Sequence, residues 1–292
     1  MNYRHAFHAG NFADVLKHAA LALIIEHLKQ KPKPFRVVDT HAGIGRYRLD
    51  AAEALRTSEW RHGIGRLFGP DAAPIPADVA ALLAPYLDGL SALNHGTSLA
   101  VYPGSPLLAL HLMRTDDRLL ANELHPEDAR ELRRHVGRDP RARILDRDGW
   151  QVLKAALPPP ERRAVILIDP PFEEADEFKR LEKAMDAAMT RFRNGIYMLW
   201  FPLKDISAAR SLEAAVASLE LDESLWLELA PGLDPDKPGG LAAAGLAILN
   251  PPYRFEDHMR VLLPFLAHRL ARTADSPGTW ACRQPRLASS EI

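Results

Sequence analysis

Val37-Val38-Asp39-Thr40-His41-Ala42-Gly43-Ile44-Gly45 joins a short apolar run to a glycine-bearing turn. Residues 35–39 read as a buried strand, being mostly β-branched or aromatic without polar alternation. A glycine turn directly after such a strand lets a ligand approach the backbone closely. The match to G-x-G-x-x-G is incomplete, because His41 stands where the first glycine would be. Taken alone, the segment fits an ordinary tight turn equally well.

The flanking sequence supplies the context. Upstream, residues 12–28 form a helical pattern with Asn11 as N-cap and Asp14 in a capping-box-like place. Lys31-Pro32-Lys33-Pro34 ends it, since proline removes a donor and restricts the residue before it. Downstream, apolar runs at 119–124, 143–146, 165–169, 196–201, 225–230 and 246–250 read as further buried strands. Helical patterns at 173–193, stopped by Gly195, and at 207–219 separate several of them. Such alternation implies an α/β fold with a mainly parallel sheet and helices on both faces. A Pro/Gly-rich loop joins the last two runs without room for a crossover helix, so the last strand is expected to be antiparallel.

From Asp39 to Glu123 is 84 positions, whereas a dinucleotide-type unit places its ribose-binding acid about 20 residues after the glycine loop. The excess reads as an inserted small helical subdomain at 47–96, rich in Ala and Leu and split by Pro70, Pro74 and Pro76. The main domain is then discontinuous, 1–46 and 97–271. It resumes with a helix that Ser105 caps and Pro106 opens. Residues 272–292 have few large apolar side chains and are expected to be a loose tail.

Composition narrows the class. The chain has 292 residues, 47% hydrophobic and 26% charged, an ordinary globular balance. The longest strictly apolar run, 19–25, has seven residues, well short of the ~20 needed to span a membrane. The start has no signal-peptide pattern, and the single Cys282 excludes internal disulfides and multi-cysteine metal sites. A cytoplasmic monomer is expected. Net charge is −1, but residues 1–66 hold eleven Lys/Arg against six acids, while 205–257 hold three against ten. One half can therefore present a positive face to an anionic partner.

Val165-Ile166-Leu167-Ile168-Asp169-Pro170-Pro171-Phe172 carries the most specific chemistry. An acid, two prolines and an aromatic at a strand end suit a planar amino group. The Asp169 carboxylate and the Pro170 carbonyl can each accept one hydrogen from an exocyclic NH2, and Phe172 can stack on the ring that bears it. An adenine amine is a poor nucleophile because its lone pair is delocalised into the ring. Two acceptors that draw its hydrogens out of plane localise that pair for attack on an electrophilic methyl. The plainer reading is a Pro-rich βα turn with a capping aspartate. Glu123 ends the second strand, counted from that of Asp39, and can accept from ribose hydroxyls, and Asp148-Gly149 follows the third strand and can hold a cofactor's adenine amino group. Singly, each also reads as a cap or solvated turn. The N-terminal arm, Tyr3 to His18, is dense in aromatic and basic groups suited to an unpaired nucleotide. Its three histidines lack the carboxylate or thiolate set that a metal needs, so no metal is expected.

With these residues assembled, the chain resembles the ribosomal large-subunit methyltransferase J family, which methylates N6 of one adenine in bacterial 23S rRNA. The resemblance rests on Tyr-Arg-His-x-Phe-His-Ala-Gly-Asn from Tyr3, Asp-Thr-His-Ala-Gly from Asp39, Tyr-Pro-Gly-Ser-Pro from Tyr102, Glu-Leu-His-Pro from Glu123, Asp-Gly at Asp148 and Asp-Pro-Pro from Asp169. It implies a Rossmann-like methyltransferase fold with an inserted helical subdomain, S-adenosyl-L-methionine as cofactor and 23S ribosomal RNA as partner. It also implies cofactor contacts at His18, His41, Ser105, Glu123, Asp148, Gly149 and Asp169, catalysis at Asp169 and substrate contact at Tyr3. Phe172 departs from the family, where a tyrosine is common; the stacking face remains.

Other classes stay open on the residues alone. The Asp-Pro-Pro-Phe signature suits a protein glutamine amide, a DNA adenine is a nearby acceptor, and a non-catalytic RNA-binding protein needs only the basic half. A decoy also stands in the chain: Asn250-Pro251-Pro252-Tyr253 fits the same pattern. In a Rossmann-like sheet the strand ending at Asp169 lies beside the first strand, whereas an antiparallel strand would carry Asn250 to the opposite rim. Asn250 is therefore expected to be structural.

Overall fold

The computed structural model describes residues 4–96, 98–174, 176–232, 240–273 and 277–287; Tyr3 lies outside them. After a 3-10 turn at His5–Phe7, α1 (Phe12–Lys29) leads into β1 (Arg36–Asp39). Then come β2 (Arg46–Arg48), α2 (Ala52–Thr57), α3 (Ala77–Ser91) and β3 (Val101–Pro103). The alternating part contains α4 (Ser105–Leu112), β4 (Arg118–Asn122), α5 (Pro126–Val136), β5 (Ala142–Leu145), α6 (Gly149–Ala156) and β6 (Ala164–Ile168). It continues through α7 (Glu177–Arg191), β7 (Ile196–Pro202), α8 (Ile206–Ala217) and β8 (Ser224–Ala230). β9 (Ala244–Leu249), α9 (Phe255–Arg269) and β10 (Thr279–Arg283) follow.

The eight-stranded sheet has the order β10-β8-β9-β7-β6-β1-β4-β5. β1 lies between β4 and β6, parallel to both, and β5 and β7 extend the parallel part. β9 is antiparallel to β7 and β8, as the short preceding loop requires. The strand order reverses at β1, and that switch point is where ligands bind in open α/β sheets. One face of the sheet packs Val37, Val165, Leu167 and Leu246 against α1, α3, α4 and α9. The other packs Val38, Ile166, Ile168 and Leu199 against α6, α7 and α8. No helix among the described residues is long and apolar enough to cross a membrane.

α1 has fourteen of its eighteen residues buried, because α3, α4 and α9 cover the flank that would otherwise meet solvent. Asn11 caps it, accepting from the Ala13 and Asp14 N–H groups. Asp14 does not complete a capping box with Asn11; its Oδ2 accepts from Gly10 N–H at 2.9 Å instead. The chain leaves the main sheet along β2 and returns along β3, which pair antiparallel. Between them, Leu49, Ile64, Leu83, Tyr86 and Leu90 join the same core cluster as α1.

Two expectations are corrected. The tail is not loose where it is described: β10 pairs antiparallel with β8, and Cys282 is buried in the core. Its apolar content is low because an edge strand needs few large side chains when backbone pairing and one buried face hold it. Ser105 does not cap α4, since Gly104 occupies the cap position and the Ser105 hydroxyl donates to Asp39 Oδ2 at 2.6 Å. A buried carboxylate is the stronger acceptor.

Candidate active site

The carboxyl ends of β1, β4, β5 and β6 surround a cavity also lined by α1 and by the start of α4. It brings together His18, His41, Ser105, Glu123, Asp148, Gly149, Asp169 and Pro170, all anticipated from sequence. Each backbone turn is held from below. Gly43 N–H donates to Glu123 Oε2 and His125 N–H to Glu123 Oε1, both at 2.9 Å. Each Glu123 oxygen therefore keeps a lone pair, and burial pushes its carboxyl above the usual range. Gly43 has φ +59°, and a Cβ there would lie 2.1 Å from the Tyr47 hydroxyl.

Asp148 serves two ends. Its Oδ1 caps α6, accepting from Trp150 N–H at 2.8 Å and Gln151 N–H at 3.2 Å. Its Oδ2 lies 3.5 Å from the Arg180 guanidinium. Gly149 allows a close approach: a Cβ would stand 2.7 Å from His41 Nε2. The Thr40 hydroxyl donates to Leu167 O at 3.0 Å, so His41 Nδ1 is the donor in its 2.8 Å contact with Thr40. His41 Nε2 is thereby left as an acceptor, and burial lowers this histidine to about 4. Asp39, beneath the turn, is pushed by burial up to about 6.

Asp169 is held by a residue that sequence reasoning passed over. Lys17 Nζ lies 2.5 Å from Asp169 Oδ2 and 2.9 Å from Asp14 Oδ1, with its side chain 6% exposed. Burial opposes the Lys17 charge, but Asp14 and Asp169 more than offset it and hold its pKa well above the ordinary value. Asp14 also accepts from His5 Nε2 at 2.9 Å. The signal was present in the sequence as Asp14, Lys17 and His18 on a helix whose other residues are almost all apolar. Polar residues that such a helix buries must be paired.

A second cavity adjoins the first and shares His5, Lys17, Asp169, Pro171 and Glu173 with it. Phe172 and Trp200 line only the second. Phe172 adopts φ +51° and packs its ring against Phe178 at 4.7 Å and Trp200 at 5.7 Å. Asp169 thus stands in the wall between two cavities. The decoy does not reach either: Asn250 Nδ2 donates to Arg193 O and Gly195 O, both at 2.7 Å, at the start of β7 and on the opposite rim.

Seven carboxylates line the first cavity against Lys17 and Arg180. Such a lining suits a nucleoside ligand that carries positive charge, and the tight cradle at Gly149 suits a flat base. Sheet order and an acid-lined cavity at its switch point define an α/β protein of the doubly wound, Rossmann-like class. A sequence profile described as "Ribosomal RNA large subunit methyltransferase D, RlmJ" matches residues 32–282. The chain belongs to this family. It is 40% identical over 281 residues to ribosomal RNA large subunit methyltransferase J of Haemophilus influenzae, covering 96% of this chain and 97% of that protein. It is 41% identical to the Escherichia coli protein of the same name, covering 96% and 98%. The crystal structure of protein LPL1258 from Legionella pneumophila superposes with a TM-score of 0.85 at 30% identity, covering 95% of this chain and 98% of that one.

Proposed function

We propose that the chain transfers a methyl group from S-adenosyl-L-methionine to N6 of an adenine in 23S ribosomal RNA. The observation that carries this reading is the meeting of two cavities at Asp169. The cofactor supplies a methyl group made electrophilic by a sulfonium. In the first cavity, the free lone pairs of Glu123 would receive ribose hydroxyls, and Asp148 Oδ2 would receive the adenine amino group. His18, His41, Ser105 and Gly149 complete the cofactor wall.

In the second cavity, Phe172 and Trp200 offer a surface for the target base. Lys17 occupies Asp169 Oδ2, which leaves Oδ1 to accept one hydrogen of the target amine. The Pro170 carbonyl would take the other, freeing the nitrogen lone pair to take the methyl as its bond to sulfur breaks and S-adenosylhomocysteine is left, with the displaced amine proton passing to Asp169 Oδ1 and on to solvent. Lys17 acts through Asp169 and is a positioning residue. Tyr3, beyond the described residues, is placed at the substrate by the family resemblance alone.

The test is methyl transfer from labelled cofactor onto purified 23S rRNA, DNA and protein, followed by identification of the modified unit. The expected product is N6-methyladenine in RNA. Label in glutamine or only in DNA would replace the acceptor, and no transfer to any of them would overturn catalysis.

A further inference from the structure

We infer that Tyr86 and Tyr102 fix His18 as the tautomer protonated at Nε2, so that the cofactor cavity offers a hydrogen-bond donor to the carboxylate end of its ligand. The inference rests on the proposed cofactor and extends it to two positioning residues, one of them in the segment between β2 and β3.

His18 Nδ1 lies 2.7 Å from the Tyr102 hydroxyl, which lies 2.9 Å from the Tyr86 hydroxyl. All three side chains are sealed from water, His18 being 1% exposed and both tyrosines 0%. Hydrogens in such a chain are assigned from which order satisfies every group. In one order Tyr86 donates to Tyr102, Tyr102 donates to His18 Nδ1, and the imidazole proton sits on Nε2. Both hydroxyl hydrogens are then used. In the reverse order His18 Nδ1 donates to Tyr102 and Tyr102 to Tyr86. The Tyr86 hydrogen then meets no acceptor among the described residues, and a buried unsatisfied donor is costly. The first order leaves one donor unpaired in turn, Nε2–H, but that group borders the cavity, where a ligand can accept from it. The reverse order strands the Tyr86 hydrogen and leaves Nε2 unpaired as well, so the first order prevails. Burial lowers His18 to about 3, so the ring stays neutral with a single proton to place.

His18 Nε2 has no hydrogen-bond partner among the described residues. His18 lines the cavity beside Gly104 and Ser105, where the N-terminal end of α4 points its positive dipole inward. The Ser105 hydroxyl is committed to Asp39, and Lys17 spends two of its three N–H donors and most of its charge on Asp14 and Asp169, so His18 Nε2–H is the neutral donor left to an anion there. Glu123 and Asp148, at the other side of the cavity, repel one. A ligand carboxylate is therefore drawn to His18 and α4. The opposite tautomer would present a lone pair to that carboxylate and repel it. His41, fixed by Thr40 with its acceptor at Nε2, is the converse case and faces the nucleoside end.

The full chain with 15N-labelled histidine tests this by long-range proton–nitrogen spectra, with the His18 signals assigned by their loss in His18→Gln. The expected signature is a protonated Nε2 and an unprotonated Nδ1. S-adenosylhomocysteine is expected to shift the Nε2 signal, whereas methylthioadenosine, the same nucleoside without the amino-acid carboxylate, is expected not to. A protonated Nδ1, or equal shifts with both ligands, would overturn the inference. The variant Tyr86→Phe/Tyr102→Phe removes both hydroxyls together, which spares the fold an orphaned hydroxyl but leaves His18 Nδ1 without its partner. Its thermal midpoint should fall, because His18 Nδ1 loses its partner, while a cooperative unfolding transition shows that the fold is kept. Its preference for S-adenosylhomocysteine over methylthioadenosine should fall by about tenfold, the scale of one hydrogen bond to a charged group. An unchanged preference in this folded variant would also overturn the inference. Failure of the wild-type chain to bind S-adenosylhomocysteine at all would overturn the cofactor reading itself.

Discussion

Replacing Lys17 with methionine should destabilise the protein and stop methyl transfer, and a second substitution should separate the two effects. Lys17 bridges Asp14 and Asp169 at 2.9 and 2.5 Å, with the three side chains only 6%, 1% and 14% exposed. Removing one partner of a buried pair leaves an uncompensated charge, at a cost of about 3–5 kcal/mol. Asp14 bears most of that cost, because it is the more deeply buried acid and keeps His5 and the Gly10 N–H, neither a full fixed charge, as its side-chain partners among the described residues. Lys17→Met/Asp14→Asn removes both charges and leaves a neutral acceptor for Gly10. Its stability should recover to within about 1–2 kcal/mol of the wild type, since a buried ion pair is often close to neutral against its uncharged replacement. Activity should not recover, because Asp169 Oδ2 is still without its cation. Urea unfolding and single-turnover methyl transfer read the two quantities on the same preparations. Recovery of methyl transfer in the double variant would refute the argument, since it would show that Lys17 serves the fold through Asp14 and does nothing at Asp169.

Asp169→Ala should abolish methyl transfer while the protein still folds, with a lowered unfolding midpoint because buried Lys17 loses one of its two carboxylate partners. Asn250→Ala should retain transfer but lose about 2 kcal/mol of stability, from two hydrogen bonds and a side chain suited to φ +52°; a folded Asn250→Ala protein that binds cofactor yet fails to methylate would reverse the assignment. RNA affinity should fall steeply with salt, by a slope of about 0.7 per neutralised phosphate for a single strand. Arg46→Glu should flatten that slope more than Arg48→Glu, because Arg48 is already engaged by Asp50 at 2.7 Å; equal effects would count against the assignment. Stability should rise with pH between about 4 and 6. The unfolded chain protonates His18 and His41 there while the folded one, with these groups lowered to about 3 and about 4, does not. Asp39, raised to about 6, holds a proton only in the folded state and opposes this gain. Asp39→Asn should therefore steepen the rise by about one proton, ~1.4 kcal/mol per pH unit, and an unchanged slope from thermal unfolding across that range would refute the shift.

From the amino-acid string alone, the alternation of strands and helices, the cap at Asn11 and the acids at the strand ends were legible. Each is a local pattern: an apolar run, a capping residue, a proline break, a polar residue where burial stops. The family was legible for the same reason, since its motifs are short strings that occur in order. Features that depend on distant partners emerge only when the chain is folded. β2, β3 and β10 have three to five residues each and are strands only because another segment pairs with them. Ser105 looked like a cap until Asp39, 66 positions away, was found to take its hydroxyl. Lys17 meets Asp169 across 152 positions, and no periodicity records that contact. Asp169 and Asn250 carry equivalent strings, and only strand direction separates them. β6 runs parallel to β1 and delivers Asp169 to the switch point, while β9 runs antiparallel to β7 and delivers Asn250 to the opposite rim. A motif specifies what chemistry a residue can do, but the direction of its strand fixes which ligand it can reach.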